Sequence, residues 1–218
     1  MSSFAELAAA PDPPLDALAL AMAGEFRDVE TEQALAELDD LGAELADAVA
    51  RTGKSPLDEA QACSGLLGVT HGFAGAAEDY DHPDNSMLDL VLARRRGLPI
   101  LLSVVYVEVA RRAGIPLAGV GLPGHFVVGH FGVAPALLLD PFAGGGIIEE
   151  QVGPDLLRPW SAHEIALRML NNLVAAYQRR ADLGPAIRAA GLRLALPVQA
   201  PLRANLEAEL LALRARLN

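Results

Sequence analysis

Residues 100–113, ILLSVVYVEVARRA, constrain the rest of the chain more than any other stretch. Pro99 ahead of them suits the first turn of a helix, where its missing N–H costs nothing, and Gly114 behind them can end one. Apolar side chains fall on almost every side of the helical projection, and a helix without a polar face has to be enclosed. The remaining segments must therefore wrap this rod. It is too short to be enclosed by a bilayer, because its most apolar run, residues 100–110, is about half of the ~20 residues a spanning helix needs.

The wrapping material on the N-terminal side reads as helical. Pro13 and Pro14 after Asp12 open a helix with Leu15, Leu18 and Met22 on one face. Over 31–49, Leu35, Leu38, Leu41, Leu45 and Val49 recur at helical spacing among Glu32, Glu37, Asp39, Asp40 and Glu44, which predicts an amphipathic helix with an acidic outer face. Ser55 and Pro56 cap a further helix running to about residue 70, and residues 72–84 read as a loop. Asp84 or Asn85 is positioned to cap a helix with Leu88, Val91 and Leu92 inward. Its last turn carries Arg94, Arg95 and Arg96, suited to the helix dipole, before Gly97 stops it in a left-handed conformation.

After Ile115 and Pro116 the chain turns to short segments rich in Gly, Val, Phe and Leu, at 117–121, 125–131 and 136–141, which read as antiparallel strands. Gly144, Gly145 and Gly146 mark a turn before Ile147 and Ile148. Ser161 and Glu164 stand at capping-box spacing ahead of another helix. Pro185 opens a shorter one, and Leu202, Leu206, Leu210, Leu213 and Leu217 stripe the last. The order is helices, sheet, helices, an α+β arrangement without the alternation of a parallel sheet. We divide it as an N-terminal helical segment 1–54, a core 55–150 and a C-terminal helical segment 151–218 packed on the core.

A hairpin loop centred between Gly132 and Val133 places His125 directly opposite Asp140. Cross-strand neighbours lie within ~5.5 Å at Cβ, so an imidazole there can donate to the carboxylate. That bond fixes the tautomer and raises imidazole basicity, the orienting role of the acid in a nucleophile, base and acid triad. A one-residue change of register would destroy it. Both residues also suit ordinary turn-flanking roles. His130 has the opposite strand parity, and His71 and His82 lie in separate segments without metal-ligand spacing, so neither a metal nor a cofactor is expected.

The run from Asp84 to Gly146 resembles the SirB-type transglutaminase-like family, found in bacterial invasion-regulator homologues and in a eukaryotic F-box protein. The shared features, in order, are an Asn opening a helix with a basic end, RRGLPI entering the buried helix, RRAGIP leaving it, PGHF on a strand, and DPF before glycines. The resemblance implies a papain/transglutaminase-like fold, in which a buried central helix lies against a small antiparallel sheet and carries the nucleophile at its start. Position by position it makes His125 the base and Asp140 its orienter, and it puts the nucleophile near Pro99 or Ile100. Neither can attack a carbonyl. Cys63 sits on an earlier predicted helix, and nothing in the sequence brings it to the site.

Ser103, one turn after Pro99, is the nearest hydroxyl. Its alternative use is a hydrogen bond returned to the Pro99 carbonyl. Asn85, Pro99, Tyr106 and Gly124 are expected to support the site. The C-terminal helices resemble one tetratricopeptide unit with a capping helix. Two consequences compete. One is a binding or regulatory module whose cleft takes a peptide or protein segment without cleaving it. The other is an atypical hydrolase or acyltransferase in which Ser103 or water serves the His125 base.

Charge narrows the partners. A net charge of −11 and a sequence pI near 4.8 leave no general cationic surface for nucleic acid or anionic membrane. The start, MSSFAELAAAPDPP, lacks a basic segment leading into a long apolar one, so a cytoplasmic location is expected. The lone Cys63 suits a reducing compartment. Oligomeric state is not readable from the sequence.

Overall fold

The computed structural model describes residues 2–148 and 152–216. The expected boundary between 150 and 151, and Leu217 of the last leucine stripe, lie outside the described residues. Helices α1 (Phe4–Ala9), α2 (Leu15–Gly24), α3 (Thr31–Thr52) and α4 (Pro56–Cys63) come first. Strand β1 (Ala74–Gly75), helix α5 (Leu88–Arg94), strand β2 (Arg96–Gly97) and helix α6 (Pro99–Arg112) follow. Strands β3 (Leu117–Leu122), β4 (His125–His130), β5 (Leu137–Asp140) and β6 (Gly146–Ile148) form an antiparallel meander. Helices α7 (Ala162–Arg179), α8 (Leu183–Leu192) and α9 (Ala200–Ala215) close the chain. The fold is α+β. Among the described residues no helix is long and apolar enough to cross a membrane.

Helix α6 is the enclosed rod. Leu101, Leu102, Val105, Tyr106, Val109 and Ala110 are all fully buried, with α3 packed on one side and β3 and β4 on the other. Each Leu or Val side chain among them, withdrawn from water, contributes roughly 1.5–3 kcal/mol. The acidic helix α3 turns Leu38, Leu41, Leu45 and Val49 inward, and α7 adds Ile165, Met169, Leu170 and Leu173 to the same core.

Several expectations are corrected. Helix α1, capped by a Ser3–Glu6 box, was not read from the sequence. The helix opened by Pro56 ends at Cys63, and Ser64–Thr70 continues it as a wider π-helical segment. Met87, not Asp84 or Asn85, stands at the start of α5; Asp84 instead accepts from Arg94 at 2.6 Å, tying the two ends of that helix together. The left-handed residue that stops α5 is Arg95, at φ 58°, while Gly97 pairs with Gly75 in a short parallel bridge. Helix α8 starts at Leu183, two residues ahead of Pro185.

The far end of α6 carries a buried polar cluster. Arg112 donates to Asp39 at 2.6 Å, Asp16 at 2.7 Å and Glu108 at 2.8 Å, and Arg111 also donates to Glu108 at 2.8 Å. Burial pushes the Glu108 carboxyl above its usual range, against the pull of Arg111. Asp16 is also opposed by burial, but Arg112 outweighs it and holds that carboxyl below its usual range. A carboxyl raised in the folded state contributes stability that is full below its unfolded value, ~4.3, and fades as pH rises through the folded value. Glu108→Gln mimics the protonated form and removes that loss. Thermal melts at a series of pH values from about 4 to 7 should therefore show the variant gaining on the wild type as pH rises. A constant difference would contradict the assignment.

Candidate functional site at the mouth of the buried helix

Two turns carry the site. Pro123 and Gly124 close the β3–β4 hairpin, with Gly124 at φ +73°, the left-handed position such a turn requires, so that His125 pairs with Leu122 and opens β4. Asp140 ends β5, and Pro141 starts a single 3-10 turn after it. Oδ1 of Asp140 accepts from the N–H groups of Phe142 at 2.9 Å and Ala143 at 3.3 Å. The other oxygen, Oδ2, accepts from Nε2–H of His125 at 2.9 Å. One carboxylate thus caps its own turn and orients the imidazole, leaving Nδ1 without a hydrogen-bond partner among the described residues.

The pair meets, but not as expected. Val128 pairs with Leu139, Gly129 with Leu138 and His130 with Leu137, which centres the loop between Val133 and Ala134, one residue later than the sequence suggested. His125 and Asp140 are therefore diagonal neighbours offset by two positions, not directly opposed. An offset of two preserves the face of the sheet, and diagonal partners remain within reach of longer side chains. The other parity carries His130, fully buried and 2.7 Å from Glu59.

A small cavity of about 30 Å³ opens beside His125, walled by Pro99 and Ile100 of α6, Tyr80, and Arg168 and Asn172 of α7. Tyr80 and Asn172 also line an adjoining cavity of about 240 Å³ next to Leu98 and Arg179. Phe142 meets the imidazole edge-on, with centroids 6.3 Å apart, and Tyr80 meets Phe142 at 6.0 Å. A wider groove of about 720 Å³ lies by the far end of α6, near Asp16, Arg112 and Trp160. Three of its carboxylates, Asp16, Asp39 and Glu108, are engaged in the Arg112 cluster.

The expected supporting residues divide. Pro99 and Gly124 line or shape the cavity. Asn85 is buried and caps no helix; its Nδ2 donates to the Asp79 carbonyl at 2.6 Å, holding the loop that carries Tyr80. Ser103 is buried, and its hydroxyl donates to the Pro99 carbonyl at 2.8 Å. Cys63 is fully buried; burial, with Glu59 nearby, pushes its thiol up to about 12, so it carries essentially no thiolate at neutral pH.

Tyr106 is fully buried, and burial, with Cys63 and Asp140 nearby, pushes its phenol well above the ordinary value. Its hydroxyl has no hydrogen-bond partner among the described residues and sits where the π-helical segment meets the glycine turn after Asp140. There the Gly144 carbonyl lies so close to Gly68 that an added Cβ would come well within 3.0 Å of it. Removing an unsatisfied hydroxyl costs little, so Tyr106→Phe should melt at or slightly above the wild-type temperature, a change of no more than about 1 kcal/mol. A large loss would reveal a bound partner for the hydroxyl.

Tyr80, Arg168 and Asn172 were not read as site residues. Tyr80 lies in a stretch read as loop, and Arg168 and Asn172 stand at i and i+4 on a helix far along the chain, where polar residues flanking an apolar stripe carry no local mark of a site.

A family model described as the transglutaminase-like superfamily matches residues 32–172, a span that contains every residue named above as lining the small cavity. A UPF0162 protein of Xylella fastidiosa (strain 9a5c) is 40% identical over 124 residues, covering 49% of this chain and 44% of the relative. A UPF0162 protein of Pseudomonas aeruginosa is 35% identical over 159 residues, 69% of this chain and 52% of the relative. Mouse F-box only protein 21 is 40% identical over 70 residues, 32% of this chain and 11% of the relative. The matches to the two UPF0162 proteins thus span about half the length of each. No solved structure matches.

Proposed function

The chain belongs to the transglutaminase-like superfamily, and from that footing we propose that it is a non-catalytic recognition module whose His125–Asp140 cleft binds a peptide or protein segment. The observation that carries this reading is the composition of the cavity wall beside His125. Pro99 and Ile100 form the part contributed by α6, and no thiol or aliphatic hydroxyl is among the lining residues. Covalent acyl transfer requires a nucleophile within hydrogen-bond reach of the base. Ser103 is committed to Pro99, and Cys63 is buried and protonated. An imidazole with a fixed tautomer and a flanking groove still offers directional contacts to a peptide amide.

One observation favours a second reading. The cavity of about 30 Å³ beside His125 has room for a water molecule. In that reading His125 takes a proton from water during amide or ester hydrolysis, with Asp140 stabilising the imidazolium.

Titrating a panel of short blocked peptides while following the histidine ring signals by NMR tests the proposal. A subset of the panel should shift the His125 signals, return intact by mass spectrometry, and bind at least about tenfold more weakly to His125→Ala. Peptides that leave His125 unmoved, or that return cleaved, would contradict it.

A further inference from the structure

Resting on that reading, the structure assigns the ligand class: we infer that Arg168 is the specificity-determining residue of the cleft and holds a carboxylate of the bound peptide, with Asn172 one turn along α7 engaging its backbone.

Arg168 is half-buried and lines the same small cavity as His125. One of its N–H groups donates to the His125 carbonyl at 3.0 Å, which ties the guanidinium to the strand that carries the imidazole. Its plane is further held over Phe126 at 5.4 Å and near Trp160 at 5.7 Å. A guanidinium has five N–H donors in a fixed fork suited to a carboxylate, and only one is used within the described residues. No carboxylate lies within ion-pair distance of it among the described residues.

The contrast with Arg112 is instructive. That arginine is also withdrawn from solvent, and it is surrounded by Asp16, Asp39 and Glu108. Two acids on neighbouring parts of the fold are already engaged. Glu164, one turn earlier on α7, takes Arg158 at 2.6 Å and the Ser161 cap, and Asp140 holds His125 and its own turn. A cation taken out of water without a counter-charge is costly, and burial does pull the Arg168 guanidinium below its ordinary value. Such a group on a chain of net charge −11 has clear use only if an anion arrives with the ligand.

Asn172 completes the wall. Its side-chain amide makes no hydrogen bond among the described residues, and it lines both the His125 cavity and the adjoining one of about 240 Å³. A donor and acceptor at that junction suits the peptide group of an extended segment passing from one cavity to the next.

The probes are three short alanine peptides: one blocked at both ends with a central glutamate, one blocked with glutamine in its place, and one with a free C-terminal carboxylate and no acidic side chain. Binding is read from the His125 ring signals and from fluorescence of Trp160, the single tryptophan. The inference predicts that a carboxylate-bearing peptide binds about tenfold or more tightly than the glutamine peptide. Which of the two carboxylate peptides does so identifies a side-chain or a terminal carboxylate. Arg168→Gln should abolish the preference, so that the carboxylate and glutamine peptides bind that variant equally, and Arg168→Lys, which keeps the charge and guards against simple misfolding, should retain part of it.

Equal binding of all three peptides to the wild type, with His125 signals moving, would overturn the role of Arg168 and leave the recognition reading standing. A carboxylate preference that survives in Arg168→Gln would do the same. Failure of every peptide to move His125 would overturn both.

Discussion

Arg112→Ala is expected to lower the melting temperature by about 6–12 °C, corresponding to a loss of about 3 kcal/mol for a domain of this size. The side chain joins α6 to Asp16 of α2 and Asp39 of α3, and its removal strands Asp16 and Glu108, whose side chains are only 5% and 3% exposed. Most of the loss is the desolvation of those two carboxylates, with Arg111 left as a partial substitute. Adding Asp16→Asn and Glu108→Gln to the same variant should therefore recover much of it. If the triple variant melts no higher than the single one, the cluster stabilises through packing of the arginine stem and not through charge. The cleft lies at the opposite end of α6, so peptide binding measured below the new melting temperature should be unchanged.

The second large effect is expected at Asp140, where two replacements separate structure from recognition. Asp140→Ala removes the acceptor for Phe142 and Ala143 as well as the partner of His125, and should cost about 1–2 kcal/mol together with most of the peptide affinity. Asp140→Asn keeps an oxygen for the turn but turns an amide N–H toward Nε2. The imidazole must then carry its proton on Nδ1, which becomes a donor where it was an acceptor. Stability should stay within about 1 kcal/mol of the wild type while affinity falls roughly tenfold. Nitrogen NMR of the ring should report the reversed tautomer. Unfolding of Asp140→Asn would show that the pair is a structural clamp.

Much of this architecture was legible because local chemistry decided it. Pro99 and Gly114 bound α6 as read, and the Ser161–Glu164 box starts α7. What was misread depended on distant contacts or on competition between neighbours. The sequence marks Arg112 only as a residue near the end of α6, yet it reaches Asp16 across 96 positions of sequence. Gly97 is the residue best suited to a left-handed stop, but its pairing with Gly75 leaves Arg95 to adopt that conformation.

The candidate pair illustrates both sides. Period-two alternation put His125 and Asp140 on one face, and that survived a register offset of two. The loop between 130 and 137 carries no signal strong enough to fix its centre. Arg168 and Asn172 were invisible for a different reason: only the packing of α7 beside the mouth of α6 brings them to His125.

The central claim is that His125 recognises a ligand and does not turn one over. Incubating the wild type, Ser103→Ala and His125→Ala with a panel of activated esters and peptide amides, and following products by mass spectrometry, tests it most directly. All three proteins are predicted to match buffer alone. Product formation by the wild type that disappears in His125→Ala would contradict the account, and its persistence or loss in Ser103→Ala would say whether water or the serine attacks.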